Sequence, residues 1–225
     1  MGTIVITGAN KGIGLQLTAQ YAAAGNKVIA CCRNPDAATD LKAVEGDVEV
    51  KKLEVGDDQS AAALGADLEG VAVDVLINNA GTVGPAMDKQ SLLTLDSSGW
   101  LEAFNVNSIG PVRVLQALLP NLKAADAAKV MTVTSQYGAI SFDLPMVYAY
   151  STSKAAVNKF MRMAALELGK EGISVGLVHP GWVQTDMGGP TADLTPAESA
   201  AGIKSVIDGM SGSGFWKWNG EEHAW

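Results

Sequence analysis

The sequence has 225 residues, of which 48% are hydrophobic and 18% are charged, and its formal net charge is −8. This length supports one sizeable core and is short for two domains, and the composition excludes an intrinsically disordered chain. The acidic balance and the absence of any basic run argue against nucleic acid or an anionic membrane as a partner, because both require clustered Lys and Arg.

The only two cysteines, Cys31 and Cys32, are neighbours in the chain. Adjacent cysteines rarely form a disulfide and lack the spacing of a zinc site, so we predict reduced thiols and no bound metal. An apolar strand begins almost at Met1, where we expect neither a basic leader nor a signal core. No apolar stretch reaches the ~20 residues that cross a bilayer. We therefore predict a cytoplasmic protein with no membrane partner.

Short β-branched runs alternate with longer alanine-rich helical patterns, as in a parallel sheet with crossover helices. The predicted strands are Thr3–Thr7, Lys27–Cys32, Val48–Val55, Val73–Ile77, Lys129–Thr134, Ile173–Val178 and Phe215–Trp218. The predicted helices cover about residues 12–24, 58–68, 97–104, 108–122, 147–168 and 195–210, with Asp57 and Thr195 as N-caps. The strands are continuous apolar runs, which is typical of strands covered on both faces. We predict a single α/β domain over residues 1–225, with a doubly wound, Rossmann-type parallel sheet of about seven strands and helices on both faces.

A glycine-rich turn joins the first strand to the first helix and contains Gly8, Gly12 and Gly14. Glycines there let the backbone approach a pyrophosphate, and the N-terminus of the helix offers free N–H groups. The spacing G-x-x-x-G-x-G also suits a turn that only packs a helix onto a sheet. Its place directly after the first strand favours a dinucleotide, and the lack of a following Gly-Lys-Ser/Thr argues against an NTPase phosphate loop.

The end of the second strand indicates which dinucleotide binds. An acidic residue there would hold the ribose 2′-hydroxyl of NAD(H), whereas an arginine accommodates the 2′-phosphate of NADP(H). The strand ends at Arg33, with no carboxylate before Asp36, and Lys11 lies in the glycine turn. Either cation alone is more typical of a solvated surface residue. The two together favour NADP(H) over NAD(H).

Tyr150 and Lys154 are four residues apart and therefore share one face of a predicted helix. The pKa of a free tyrosine is near ~10, and a neighbouring ammonium lowers it. Such a pair can act as a general acid for carbonyl reduction or as a base for alcohol oxidation. A surface tyrosine beside a solvated lysine gives the same pattern, so the pair gains meaning only from its surroundings.

Three polar residues follow or adjoin strands at the edge where ligands bind in open parallel sheets. Ser135 follows the fifth strand, from where its hydroxyl could donate a hydrogen bond to a substrate carbonyl. Asn79 follows the fourth strand, and Asn107 stands at the predicted start of a helix. Each asparagine alone is more typical of a cap or a turn.

Taken together, these motifs resemble the short-chain dehydrogenase/reductase family, in the family's own order over most of the chain. The matching segments are Thr7-Gly8…Gly12-Ile13-Gly14, Asn78-Asn79-Ala80-Gly81, Val106-Asn107, Thr134-Ser135, Tyr150…Lys154 and Pro180-Gly181. The segments Tyr150–Asn158 and His179–Gly189, with Gly188-Gly189 in place of a long substrate lid, resemble the C-factor-like and sniffer-like carbonyl reductases, as does the ending Trp218-Asn219-Gly220-Glu221-Glu222…Trp225.

The resemblance implies a catalytic tetrad. Asn107 would hold a water in a proton relay, Ser135 would orient the carbonyl, Tyr150 would transfer the proton, and Lys154 would tune Tyr150 and bind the nicotinamide ribose. It also implies a set of cofactor-binding residues, in which Asn10 and Ile13 face the pyrophosphate or adenosine ribose. Asn79, Ala80 and Gly81 would lie along the cofactor, and Pro180, Gly181, Val183 and Thr185 would line the nicotinamide.

Two positions depart from the family pattern. The aspartate expected after the third strand for the adenine amine is replaced by Glu54 or, less suitably placed, Asp57. The gap from Ser135 to Tyr150 is slightly long, and Tyr148 is nearer the usual spacing. Tyr148 has Thr152, not a lysine, four residues on, so we assign the acid–base role to Tyr150.

Other residues bear on the site less directly. His179 and His223 form no ligand cluster in the sequence, so we expect a structural role for His179. Met87, Met146 and Met187 would lie in loops at about 82–96, 136–148 and 182–195, where they could either rim the substrate site or only pack. Trp216, Trp218 and Trp225 would form a terminal apolar plug or a subunit contact.

We predict from this an NADP(H)-dependent oxidoreductase that transfers a hydride between nicotinamide and a small carbonyl or alcohol substrate, as a carbonyl reductase does. A dinucleotide-binding signalling or regulatory protein of the C-factor type is the alternative. A nucleotide-sugar epimerase would need a larger substrate domain than the residues after Lys154 can form. The resemblance further implies a homodimer or homotetramer packed through the long helices.

Overall fold

The computed structural model describes residues 1–225 and contains one sheet of seven parallel strands. The strands are β1 (Thr3–Thr7), β2 (Lys27–Cys32), β3 (Val48–Lys52), β4 (Val75–Asn78), β5 (Lys129–Val133), β6 (Ser174–His179) and β7 (Gly214–Lys217). They are arranged in the order β3-β2-β1-β4-β5-β6-β7. The predicted fold class is confirmed, and β1 and β2 have the predicted bounds.

Eight α-helices cover the sheet. They are α1 (Gly12–Ala23), α2 (Thr39–Lys42), α3 (Asp58–Asp67), α4 (Ser97–Phe104), α5 (Gly110–Ala117), α6 (Leu119–Lys123), α7 (Tyr148–Leu168) and α8 (Pro196–Gly209). The predicted caps are confirmed, because the Asp57 side chain accepts from Gln59 N and Thr195 forms a capping box with Glu198. The prediction of one helix over 108–122 was wrong: a π turn at Asn105–Ile109 is followed by α5 and α6.

Alternate side chains of each strand enter two separate cores. In β1, Val5 belongs to a cluster of 24 buried residues beneath α3, α5, α6 and α7. Ile4 and Ile6 belong to a cluster of 20 beneath α1, α2 and α8. Both faces of the sheet are therefore apolar, which explains the unbroken apolar runs in the sequence. None of the helices combines the length and the apolar composition that a membrane crossing requires.

The strand order reverses between β1 and β4, which lie side by side. In open parallel sheets this switch point opens a crevice at the carboxyl ends of the strands. The glycine turn follows β1, Asn79–Gly81 follow β4, and Ser135 closely follows β5. The predicted site residues therefore come to one edge of the sheet.

Candidate active site

The turn after β1 has a backbone that only glycine allows. Gly8 and Gly12 have φ angles of +65° and +54°. A Cβ at Gly8 would lie 2.9 Å from the Ala80 Cα, and one at Gly14 would overlap the Gly8 carbonyl. α1 then begins at Gly12 without a side-chain cap, so the N–H groups of its first turn have no side-chain acceptor. This cradle fits a dinucleotide pyrophosphate, which would accept from those N–H groups.

Asn79 joins the turn after β4 to the turn after β1 through hydrogen bonds. Its Nδ2 donates to the carbonyl oxygens of Thr7 (3.0 Å) and Gly8 (3.1 Å). The Thr7 hydroxyl oxygen accepts from the backbone N–H groups of Asn79 and Ala80, both at 3.0 Å. Both amide hydrogens of Asn79 are used in this way. Its role in the structure is thus to hold the walls of the crevice in register.

The two cations predicted to select NADP(H) are both paired with carboxylates. Lys11 Nζ lies 2.6 Å from Asp186 Oδ2, and both side chains are exposed. Arg33 Nε lies 3.9 Å from Glu54 Oε2, with the arginine side chain 80% exposed. Asp186, in the loop after β6, was not singled out from the sequence, since only the fold brings it to the glycine turn.

Glu54 and Asp57 are the two candidates for the contact with the adenine amine. Asp57 Oδ1 accepts from Gln59 N at 3.0 Å and caps α3. Glu54 Oε1 accepts from Gly56 N at 3.2 Å, and its other oxygen faces Arg33. Both carboxylates are engaged, so the choice between them stays open.

The loop after β6 reaches back over the glycine turn. Gly181 has a φ of +84°, and its Cα lies against Trp218 and Leu194. Val183 is buried and forms an isolated bridge with Leu194. A Cβ at Gly12 would lie 3.1 Å from Thr185 Cγ2, so Thr185 faces the glycine turn directly. The segment predicted to line the nicotinamide, from Pro180 onward, thus borders the same crevice.

Ser135, Tyr150 and Lys154 converge at the carboxyl end of β5. Lys154 is buried on α7, where its Nζ donates to the Val133 carbonyl at 3.0 Å and lies 5.7 Å from the centre of the Tyr150 ring. Ser135 is also buried, and its Oγ accepts from Tyr137 N at 3.2 Å. A Cβ at Gly81 would lie 3.5 Å from Lys154 Nζ, so the lysine adjoins the crevice wall.

Burial has the largest effect on the pKa values of Tyr150 and Lys154. It raises the pKa of Tyr150 to about 12, against a smaller opposite effect from a hydrogen bond with Ser135. Burial also lowers the pKa of Lys154 to about 8. The sequence predicted that Lys154 would lower the pKa of Tyr150, and the net direction in the structure is the reverse. Desolvation of the phenolate is the largest cause, and the neighbouring Tyr137 raises the pKa further.

Asn107 lies in the π turn between α4 and α5 and is almost fully buried. Its Nδ2 donates to Thr82 O (2.8 Å) and Ser153 Oγ (3.0 Å), and its Oδ1 accepts from Thr82 N (2.8 Å). The predicted position at the start of a helix was wrong, because α4 continues through the π turn into α5. Such turns insert one residue into a helix and often occur at functional sites.

Tyr137 is a site residue that sequence reasoning missed. Its ring meets that of Tyr150 edge to face at 6.3 Å and that of Phe142 at 5.3 Å. Its hydroxyl lies 4.0 Å from Met146 Sδ. The position two residues after Ser135 would have been the only sequence signal. Tyr150 is thus packed against Tyr137, which in turn contacts Phe142 and Met146.

Tyr148 also stands on the first turn of α7, and it lines a surface cavity with Phe142, Met146 and Thr152. Tyr150 is the tyrosine close to Ser135 and Lys154. Tyr150 therefore remains the residue for which we propose the acid–base role.

The two histidines lie together near the end of the chain. The rings of His179 and His223 are 5.7 Å apart, and no third side chain completes a metal-binding group. Burial, followed by the neighbouring His223, lowers the pKa of His179 to about 4. Trp216 and Trp218 pack against the core beneath α8, which favours the plug over a subunit contact for these two residues.

A family model described as short chain dehydrogenase matches residues 2–194. The match contains the glycine turn, Asn107, Ser135 and the Tyr150–Lys154 pair. The chain belongs to the short-chain dehydrogenase family. The resemblance drawn from the six sequence motifs is thereby confirmed, and the chain is an oxidoreductase by family.

Individual relatives agree with the predicted subgroup. The C-signal of Myxococcus xanthus is 41% identical over 157 residues, which are 68% of this chain and 93% of that protein. The NADPH-bound carbonyl reductase from chicken fatty liver is 31% identical with a TM-score of 0.91, and covers 100% of this chain and 99% of its own. Carbonyl reductase Sniffer of D. melanogaster is 29% identical with a TM-score of 0.92, and covers 100% of both chains.

Proposed function

We propose that this short-chain dehydrogenase is an NADPH-dependent carbonyl reductase. The observation that carries the proposal is the convergence of Ser135, Tyr150 and Lys154 beside the glycine cradle, at the carboxyl edge of the sheet. Likeness to a carbonyl reductase that binds NADPH supports it. Bound NADPH would supply the hydride, and the chain's own residues would handle the oxygen and the proton.

Each of the three residues has a separate task in this mechanism. Ser135 Oγ–H donates a hydrogen bond to the substrate carbonyl oxygen and orients it. The Tyr150 phenol donates its proton to the same oxygen as negative charge develops there. The Lys154 ammonium, 5.7 Å from the ring centre, stabilises the phenolate that remains. Asn107 would hold the relay water through one of its oxygen atoms, because both of its side-chain amide hydrogens are already donated.

We propose carbonyl reduction as the direction that this site serves, in line with the likeness to an NADPH-bound carbonyl reductase. Burial raises the pKa of Tyr150 to about 12, so the phenol has a proton to donate at neutral pH.

Arg33 and Lys11 support the preference for NADPH. Arg33 stands at the end of β2 with an 80% exposed side chain, free to turn toward a 2′-phosphate. Lys11 stands in the glycine turn, with Asp186 as its present partner. Surface ion pairs of this kind contribute less than ~1 kcal/mol, so a phosphate can displace the carboxylates.

The substrate would be neutral and apolar, with an aromatic or dicarbonyl compound as the best match. Tyr137 lies beside Tyr150 and contacts Phe142 and Met146, so the three offer aromatic and thioether surface close to the site. Segments 136–148 and 182–195 contain no Lys, Arg or His but three aspartates, and segment 82–96 has one lysine against two aspartates, a balance that disfavours anionic substrates. Met87, Met146 and Met187 are all exposed, which supports a rim and not plain packing.

The proposal is tested by NADPH and NADH oxidation over a panel of carbonyl compounds. The panel would pair neutral aromatic aldehydes and diketones with keto acids of similar size. We expect kcat/KM to be at least tenfold higher with NADPH than with NADH, and higher for neutral substrates than for keto acids. Equal or better turnover with NADH would contradict the assigned cofactor, and no turnover with any carbonyl would contradict the reductase function.

A signalling function is the second candidate, because of the 41% identity to a protein named C-signal. A protein that only binds the dinucleotide would need the glycine cradle but not the Tyr150 proton. Replacing Tyr150 by Phe separates the two, since a signalling output would survive the change.

We also propose that the protein is a homodimer or homotetramer packed through its long helices. Phe160, Met163 and Leu166 project from α7 with side chains 40%, 53% and 72% exposed, and α7 packs beside α4. A second copy of the chain would remove these apolar groups from water. Light scattering would show a mass at least twice the 23.3 kDa of one chain, whereas a monomer mass would contradict the proposal.

A further inference from the structure

The helix that carries Tyr150 and Lys154 begins without a cap of its own. Val147 occupies the N-cap position of α7, and its apolar side chain accepts no hydrogen bond. The N–H groups of the first helical turn need acceptors from elsewhere. Val147 is also the only residue other than glycine with a positive φ, at +49°. A β-branched residue adopts this conformation only where surrounding contacts impose it.

Gln90, from the segment between β4 and α4, supplies the missing acceptors. Its Oε1 accepts from Tyr150 N at 3.3 Å, and its backbone oxygen accepts from Tyr148 N at 3.3 Å. Its Nε2 donates to the carbonyl oxygens of Val83 (3.1 Å) and Pro85 (2.8 Å). The residue is only 2% exposed, so water does not compete for these bonds.

The Gln90 amide therefore joins two walls of the site. Val83 and Pro85 continue from the segment that passes Asn107 through Thr82, and Tyr150 stands on the opposite wall. Only a side chain of this length that has one acceptor and two donor hydrogens can make all three hydrogen bonds. A glutamate would place a carboxylate against two carbonyl oxygens, and a methionine would make none of the three bonds.

We propose that Gln90 is a positioning residue, which caps α7 from outside the helix and sets where the Tyr150 phenol stands relative to Ser135 and Lys154. This inference rests on the proposed function, because it concerns the same tyrosine. Gln90 itself touches neither substrate nor cofactor. Loss of its amide lets the first turn of α7 fray, which moves the phenol from its place at Ser135 and Lys154.

The test compares Gln90→Met, which keeps length and removes the polar groups, with Asn121→Leu as the matched control. Asn121 is a buried amide on α6 whose Nδ2 also donates to two carbonyl oxygens, those of Leu68 and Val71, at the opposite edge of the sheet. Both variants should unfold at a lower temperature. Assays are run far below either Tm, so that lost stability alone does not alter turnover.

Two readouts are measured on each variant. Amide hydrogen exchange at residues 148–151 should be at least tenfold faster in Gln90→Met and unchanged in Asn121→Leu. The kcat for carbonyl reduction should fall at least tenfold in Gln90→Met, with the Kd for NADPH within twofold of the original, and should be unchanged in Asn121→Leu.

Each other outcome overturns the inference. Unchanged amide exchange in Gln90→Met would show that Gln90 does not cap α7, whatever the kinetics show. Faster exchange with unchanged kcat would show that the cap does not position Tyr150. The proposed function would be contradicted by a different result, namely a Tyr150→Phe variant that keeps its turnover. The two failures are therefore distinguishable.

Discussion

Lys154 Nζ lies 5.7 Å from the centre of the Tyr150 ring and donates its hydrogen bond to the Val133 carbonyl, not to the tyrosine. The effect that we propose for the lysine on the phenolate is therefore one of charge and not of a direct bond. Burial at the same place lowers the pKa of Lys154 to about 8, so the ammonium form still predominates at pH 7. This relationship makes the activity of the site depend on pH in a defined way.

The rate of carbonyl reduction should stay constant from about pH 6 to 7 and fall above pH 8. The acid, Tyr150, is protonated throughout this range because burial raises its pKa to about 12. The decline follows the loss of the Lys154 charge as the pH rises through its pKa of about 8. Alcohol oxidation should instead increase between pH 6 and 8, because its base is the phenolate. Steady-state kcat profiles in both directions check this, and a reduction rate that rises with pH would contradict it.

Lys154→Met should stabilise the fold while abolishing reduction. Lowering the pKa of Lys154 from 10.5 to about 8 means that burial of its charge costs roughly 3 kcal/mol at neutral pH. Methionine fills similar space without charge, although it leaves Val133 O without its donor. We expect a Tm several degrees higher at pH 7 and a loss of more than ~100-fold in kcat.

The pH dependence of stability provides the control for this variant. Between about pH 8 and 10.5 the unfolded chain binds the Lys154 proton and the folded chain does not, so the original protein gains stability as the pH rises through this window. The variant should lack that gain. A Tm difference that stays constant from pH 7 to 10.5 would show that the buried charge is not its cause.

Arg33→Ala should raise the KM for NADPH at least tenfold and leave that for NADH within twofold. A charge-assisted hydrogen bond to a phosphate contributes ~1.5–3 kcal/mol. NADH has no 2′-phosphate and makes no such bond, so its binding is unaffected by the change. Lys123→Ala is a suitable control, since Lys123 is an exposed cation on α6 that pairs with Glu171. An equal rise for both dinucleotides would place Arg33 outside the 2′-phosphate site.

Much of this fold could be predicted from the residues alone. The continuous apolar runs of the strands and the Asp57 and Thr195 caps are local signals, and the structure follows them closely. The π turn at Asn105–Ile109 is different, because it depends on Asn107 reaching Thr82 and Ser153 across the fold. No pattern within residues 97–122 reports those partners, which explains why a helix was predicted to start at Ser108.

The site shows the same division. The glycine turn, Ser135 and the Tyr150–Lys154 pair were found because their spacing is local. The role of Gln90 could not be predicted, because its partner Tyr150 is 60 residues away and a lone glutamine belongs to no sequence pattern. The predicted direction of the Tyr150 pKa shift was also wrong, because sequence spacing reveals the neighbouring lysine but not the burial that raises the pKa.

The most direct measurement is single-turnover hydride transfer by Tyr150→Phe, with Tyr148→Phe as the matched control. Tyr148 is a second tyrosine on the first turn of α7 that lines a cavity with Phe142 and Met146, and Tyr150 is the tyrosine close to Ser135 and Lys154. Replacement by Phe keeps the Tyr148 ring in that cavity and removes only its hydroxyl. We predict that Tyr150→Phe keeps its affinity for NADPH and loses at least ~100-fold in the rate of carbonyl reduction, while Tyr148→Phe keeps both. Full activity in Tyr150→Phe, or the loss of activity in Tyr148→Phe alone, would contradict the assignment of the proton donor.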